Sequence, residues 1–309
     1  MPYRISGHES FPCRYAWLPK AVSWVERKPQ LFSDEPQAMV DLGVGKNMVR
    51  SIRFWAQASG MIETARKESG YAVTDFGRMI LGEDGADPFL EDLRTLWLVH
   101  WKLSTIQPSL LAWDYLLNRW QDPKLVPSTV VKALQKEAEL QDQHLSAATI
   151  QQHFDTFLHT YVPTRGRKGE VQEDNLDSPL VELELLIKAG DRELDVGGRH
   201  ETIYAFRREE KPDISPELFI YCVADFWLRR HPEEETLPSK VLATDYGSPG
   251  QIFKIPEEDI RSRLATIDRD SGGALSFSEA ASLQQLRRRG DLDLKELLST
   301  IYALEGVNV

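Results

Sequence analysis

The sequence predicts a mainly α-helical protein with a winged helix-turn-helix at the N-terminus, a central helical region and a C-terminal winged-helix-like region. Three observations predict it. Apolar residues recur at helical spacing through most of the 309 residues. Gly43-Val44-Gly45 separates two such stretches with the kind of turn that joins crossed helices. Two short β-type runs around a polar tip ending in glycine follow directly. The expected divisions are a winged helix-turn-helix domain over residues 1–82, a central helical region over 83–178 with a candidate second helix-turn-helix, and a winged-helix-like α+β domain over 179–309.

Residues 14–28 carry Trp17, Leu18, Val22, Trp24 and Val25 on one helical stripe, with Pro19 in its first turn or kinking it. Ser33 is the expected N-cap of the next helix, 34–42, which stops at Gly43. A helix over 46–59 follows, its buried face formed by Val49, Ile52, Trp55, Ala56 and Ser59 and its end marked by Gly60. The β-type runs are 61–64 and 71–73, and Thr74 caps a closing helix. Helix, helix, glycine turn, helix, hairpin, helix is the order of a winged helix-turn-helix.

Beyond an acidic linker at 82–87, residues 89–120 read as a helical hairpin split at Pro108, its Trp97, Trp101, Trp113 and Trp120 filling a core. Helices are expected over 129–140 and, capped by Ser146, over 147–161. Residues 164–177 read as a charged loop. Strands are expected at 180–187, 202–206 and 252–255, helices at 216–230, 238–246, 257–267 and 293–303, and a β-type run at 274–277.

With 41% hydrophobic and 28% charged residues, the composition suits a globular rather than a disordered chain. Two cysteines, Cys13 and Cys222, exclude a disulfide framework and point to a reducing cytoplasmic setting. The first residues lack a signal-peptide apolar core, and no apolar stretch is long enough to span a membrane. The net charge of −11 is uneven: residues 1–80 hold 11 basic and 8 acidic side chains, the rest 26 and 40. Salt screens charges beyond about 8–10 Å, so a local basic face can still attract a polyanion. Any DNA contact is therefore expected at the N-terminal end.

Gly7-His8-Glu9-Ser10-Phe11 before Arg14-Tyr15, Leu42-Gly43-Val44-Gly45-Lys46-Asn47-Met48-Val49, Leu96-Trp97-Leu98-Val99-His100-Trp101-Lys102-Leu103, Leu176-Asp177-Ser178-Pro179-Leu180 and Gly247-Ser248-Pro249-Gly250-Gln251-Ile252-Phe253 occur in that order. From about residue 5 to the end, the chain resembles the domain-of-unknown-function family numbered 4007. The resemblance carries no established activity. It implies a prokaryotic protein often encoded beside sulfurtransferases of the phosphoadenosine-phosphosulfate-reductase type, in DNA-modification (phosphorothioation) and phage-defence islands.

Opposite the buried stripe, the helix over 46–59 presents Lys46, Asn47, Arg50, Arg53 and Gln57. These side chains suit base edges and phosphates in a major groove. Arg66 and Lys67, at the expected hairpin tip, suit the neighbouring groove or backbone. The same face would also serve as a solvated surface for protein contacts. Arg165, Arg167 and Lys168 form a second, less specific basic arm.

Asp268, Asp270, Gly273, Leu275 and Glu279 match EF-hand spacing, but Gly272 offers no oxygen at position five, and a Gly-Gly turn explains the same residues better. Gly43–Lys46 lacks phosphate-loop spacing, and His8-Glu9 is read as capping or as packing against Trp17. His144, His153 and His159 lack zinc-ligand spacing, and no nucleophile elbow or cofactor fingerprint occurs. No catalytic residue, metal ligand or cofactor is expected. The reading is a non-catalytic double-stranded DNA-binding component. The alternative is an adaptor holding a sulfurtransferase-like or ATPase partner.

Overall fold

The computed structural model describes residues 2–65, 69–163, 178–193, 200–280 and 283–303. The protein is mainly helical with small antiparallel sheets, and it divides into two compact units: residues 1–116 with 120–207, and residues 117–119 with 208–309.

In the first unit, α1 (Trp17–Arg27) buries Trp17, Leu18, Ala21, Val22 and Val25. The N-cap of α2 (Glu35–Leu42) is Asp34 rather than Ser33, which ends a short 3₁₀ turn. The Asp34 carboxylate accepts the Gln37 N–H at 3.1 Å, and a charged acceptor is the stronger cap. Gly43, at φ +67°, ends α2 in the left-handed region.

After α3 (Lys46–Ala58), β1 (Ile62–Thr64) pairs with β2 (Tyr71–Val73) in the register Ile62 to Val73. The hairpin is tied to the segment after α1 by Tyr71 N–H donating to the Pro29 carbonyl at 2.9 Å. Thr74 caps α4 (Asp75–Leu81) by accepting the Gly77 N–H at 2.9 Å. A Cβ on Gly77 would lie 2.2 Å from the Met61 carbonyl oxygen. Gly77→Ala should therefore cost about 1–3 kcal/mol through forced separation of α4 from the Met61 backbone just before β1, read as a lower urea midpoint.

Four helices complete the core: α5 (Leu93–Thr105), α6 (Leu111–Asn118), α7 (Pro127–Leu140) and α8 (Ala147–Tyr161). The Trp113 indole on α6 lies 5.9 Å from the Trp55 ring on α3 and 5.0 Å from Phe157 on α8, and donates to the Tyr161 hydroxyl at 2.8 Å. The regions expected as separate, 1–82 and 83–178, thus share one aromatic core. Trp120 stands outside it, half-exposed, its indole N–H on the Lys124 carbonyl. In the candidate second helix-turn-helix, α8 buries Ile150, His153, Phe154, Thr156, Phe157, Leu158, Thr160 and Tyr161, so it works as a core helix.

Residues 180–187 do not form the expected strand. Pro179–Leu183 is a 3₁₀ turn ended by Glu184 at φ +44°. The strand β4 (Leu186–Glu193) pairs with β5 (His200–Phe206), which pairs with β3 (Lys124–Leu125). That sheet belongs to the first unit, which places the division at 207/208 rather than 178/179.

The second unit runs α9 (Pro216–Arg230), β6 (Thr236–Pro238), α10 (Ser239–Thr244), α11 (Pro249–Phe253), α12 (Glu257–Asp270), β7 (Leu275–Ala280), β8 (Leu283–Arg288) and α13 (Leu294–Thr300). Its sheet order is β6-β8-β7. The strand expected at 252–255 does not form: Ile252 and Phe253 end α11, which Ser248 caps and Pro249 starts, and Lys254 follows at φ +56°. Four apolar residues alone do not separate strand from helix.

Candidate nucleic-acid interface

No side chain caps α3, which begins at extended Gly45. The anticipated face of Val49, Ile52, Trp55, Ala56 and Ser59 is buried, and so are Ser51, Phe54 and Ala58. The extra burial comes from the N-terminal segment. Ser51 Oγ donates to the His8 carbonyl at 2.7 Å, and the Trp55 indole donates to Phe11 at 3.0 Å. Gly7, at φ +108°, leaves room for the Phe54 ring that a Cβ would meet at 2.9 Å. What remains open on α3 is a narrow stripe. Lys46 and Asn47 are exposed, and Arg50, Arg53 and Gln57 are half-buried.

The charges on that stripe differ in their surroundings. Arg50 Nε and Nη2 donate to the two Glu35 carboxylate oxygens at 2.7 and 3.2 Å, and Lys46 Nζ reaches the same carboxylate at 3.3 Å. The Arg50 hydrogen bond, with help from Lys46, holds the Glu35 carboxyl below the usual carboxylate range. Arg53 has no anionic partner among the described residues.

Arg4 stacks over the Phe54 ring at 4.2 Å and donates to the Phe54 carbonyl at 3.5 Å. Its backbone is pinned by Arg4 N–H on the Ser109 carbonyl at 2.8 Å. Burial, then the positive charge of Arg53, lowers its pKa. Two guanidiniums of like charge thus lie within electrostatic range, an arrangement that an arriving anion relieves. Arg4 was not among the residues expected from sequence, because it lies in an extended segment with no periodicity to reveal its face. Arg66 and Lys67, expected at a hairpin tip, and Arg165, Arg167 and Lys168, expected in a basic arm, lie outside the described residues.

The EF-hand-like spacing resolves into helix, turn and strand. Asp268 and Asp270 sit in the last turns of α12, Gly272 and Gly273 make the turn at φ +59° and +85°, and Glu279 lies on β7. Asp268 is paired with Arg289 at 3.0 Å and Asp270 with Arg269 at 2.8 Å. Among the described residues no group of three His, Cys, Asp or Glu side chains is placed to hold a metal ion. No helix there is long and apolar enough to cross a membrane.

His8 packs on Phe54 and His153, at 5.5 and 5.3 Å between rings, not on Trp17. Ser10 N–H donates to His8 Nδ1 at 3.0 Å, so the His8 proton sits on Nε2 and goes to the Ile5 carbonyl at 3.0 Å. Ala112 N–H donates to His153 Nε2 at 3.1 Å, which puts the His153 proton on Nδ1. Both rings are therefore neutral. Burial pushes the pKa of His8 down to about 4 and that of His153 down to about 3.

The family model for proteins of unknown function DUF4007 matches residues 5–302. The chain belongs to this family. No curated protein matches this DUF4007 chain. The solved structures that resemble it include a magnesium ion-bound SspB (TM-score 0.84) and a second SspB structure (TM-score 0.83). Each is 28% identical to this chain, over 98% of it and 89% of the SspB chain.

Proposed function

We propose that this DUF4007 protein is a double-stranded DNA-binding component of a prokaryotic DNA-modification or phage-defence system, acting without a catalytic step of its own. In this reading residues 1–82 work as a winged helix-turn-helix. Its α3 lies in the major groove, Lys46, Arg50 and Arg53 meet phosphates or guanine edges, and Asn47 and Gln57 meet base edges. Arg66 and Lys67 on the wing meet the neighbouring backbone. The observation that supports it most is the accessible stripe of α3, on which Arg53 has no carboxylate partner among the described residues and feels the positive charge of half-buried Arg4. Membership of DUF4007 and the likeness to SspB support the system.

The test is a mobility shift on duplex DNA through a salt series. Binding should weaken steeply with salt, by a slope of about −0.9 for each phosphate neutralised. Supercoiled plasmid incubated with the protein and magnesium should stay intact. A nicked product would replace the non-catalytic reading with a nuclease.

An adaptor role for the second unit is favoured by α12, whose N-terminal end carries exposed Glu257 and Glu258, which repel a phosphate backbone. A sulfurtransferase-like or ATPase protein of the same system is the partner in that reading. Glu257→Lys with Glu258→Lys should cut retention of such a partner in a pull-down while leaving duplex binding no weaker.

A further inference from the structure

We propose that Glu35 is a stand-in for a nucleic-acid phosphate: it occupies the anion site made by Arg50 and Lys46, and a duplex engages those two cations by displacing it. The inference rests on the DNA-binding reading and adds a residue that sets affinity against it.

The geometry is that of anion recognition. A guanidinium fork grips both carboxylate oxygens, as it would two phosphate oxygens, and a lysine one helical turn away supplies the second charge. Glu35 is the first residue of α2, so its carboxylate also lies at a helix N-terminus, where anions are favoured. The pair remains reachable from solvent, with 29% of the Glu35 side chain and 35% of that of Arg50 exposed, so it can exchange. Glu9 adds a second, weaker negative influence on Arg50. Arg53, the next cation along the stripe, has no such partner among the described residues. The stripe thus holds one cation open for first contact and two that an internal carboxylate covers until a phosphate arrives.

The experiment measures fluorescence anisotropy on a short duplex of generic sequence, through a salt series, for the wild type, Glu35→Gln, Glu35→Asp and Arg53→Glu. Glu35→Gln should bind about five-fold tighter at low salt, the worth of roughly one surface ion pair. Its salt slope should steepen, because the same phosphates are neutralised without freeing a carboxylate that takes up a cation. Asp34 still caps α2 in this variant, so thermal unfolding should show a folded protein. Glu35→Asp keeps the charge but draws it back from Arg50, and should give a smaller gain in a protein that folds. Unchanged or weaker binding by both Glu35 variants, with Arg53→Glu still impaired, overturns the stand-in and leaves the DNA reading. No binding by any of the four proteins overturns the DNA reading and this inference with it.

Discussion

Arg53→Glu should lose about 30- to 100-fold in duplex affinity at low salt, because a phosphate contact becomes a like-charge repulsion at the middle of the α3 stripe. The loss should shrink as salt rises, and the log–log salt slope should flatten by about one. Arg53 is the most informative single position because no carboxylate among the described residues neutralises it, so no ion pair among them is lost with it. Arg50→Glu is less clean, since it places a new carboxylate against Glu35, which grips Arg50 at 2.7 Å. The double variant Arg50→Glu with Arg53→Glu should abolish salt-sensitive binding. Gln57→Ala should change the ranking of sequences more than the affinity for any one of them, since an amide reads base edges rather than phosphates. A mobility shift in which the double variant binds like the wild type would remove α3 as the contact surface and leave the adaptor reading.

The order of elements in the first 82 residues was legible because each boundary carries its own chemistry. Gly43 takes a left-handed conformation, Gly60 follows α3 at φ +71°, and Thr74 caps α4. The stripe of Lys46, Arg50, Arg53 and Gln57 follows from helical spacing alone. The partners of those side chains were not legible. Glu35 comes from a different helix, and the crossing of α2 with α3 that brings it to Arg50 is a tertiary fact. Arg4 is hidden for the same reason, and so is the burial of Phe54 and Ser51 under residues 5–11, a segment whose polar residues read as a loop. The sharing of one core through Trp113 was not legible for a related cause: an aromatic at helical spacing announces a core, but not which other helix supplies it. The strand expected at 252–255 shows the limit of short apolar runs, where the cap at Ser248 outweighs β propensity.

Acid should destabilise the first unit well before its surface carboxylates are all protonated, and the cause is the His8–His153 pair. Both rings are held neutral by backbone groups that fix their tautomers, with the Ala112 N–H on His153 and the Ser10 N–H on His8. In the unfolded chain each ring takes a proton near pH 6.5. In the folded protein the values lie at about 4 and about 3. Stability from the neutral pair is therefore complete above about pH 6.5, where neither state binds the protons. As pH falls from 6.5 towards 4, the unfolded state binds up to two more protons than the native one. The unfolding free energy should then decline by up to about 3 kcal/mol per pH unit. Urea unfolding at intervals between pH 7.5 and pH 4 (roughly the span of that window) measures the slope directly. His153→Gln keeps an acceptor for the Ala112 N–H but cannot titrate, so its slope should be shallower by about 1.4 kcal/mol per unit. Equal slopes for the wild type and His153→Gln would mean that the folded protein accepts the second proton, and the tautomer assignment would fall with the prediction.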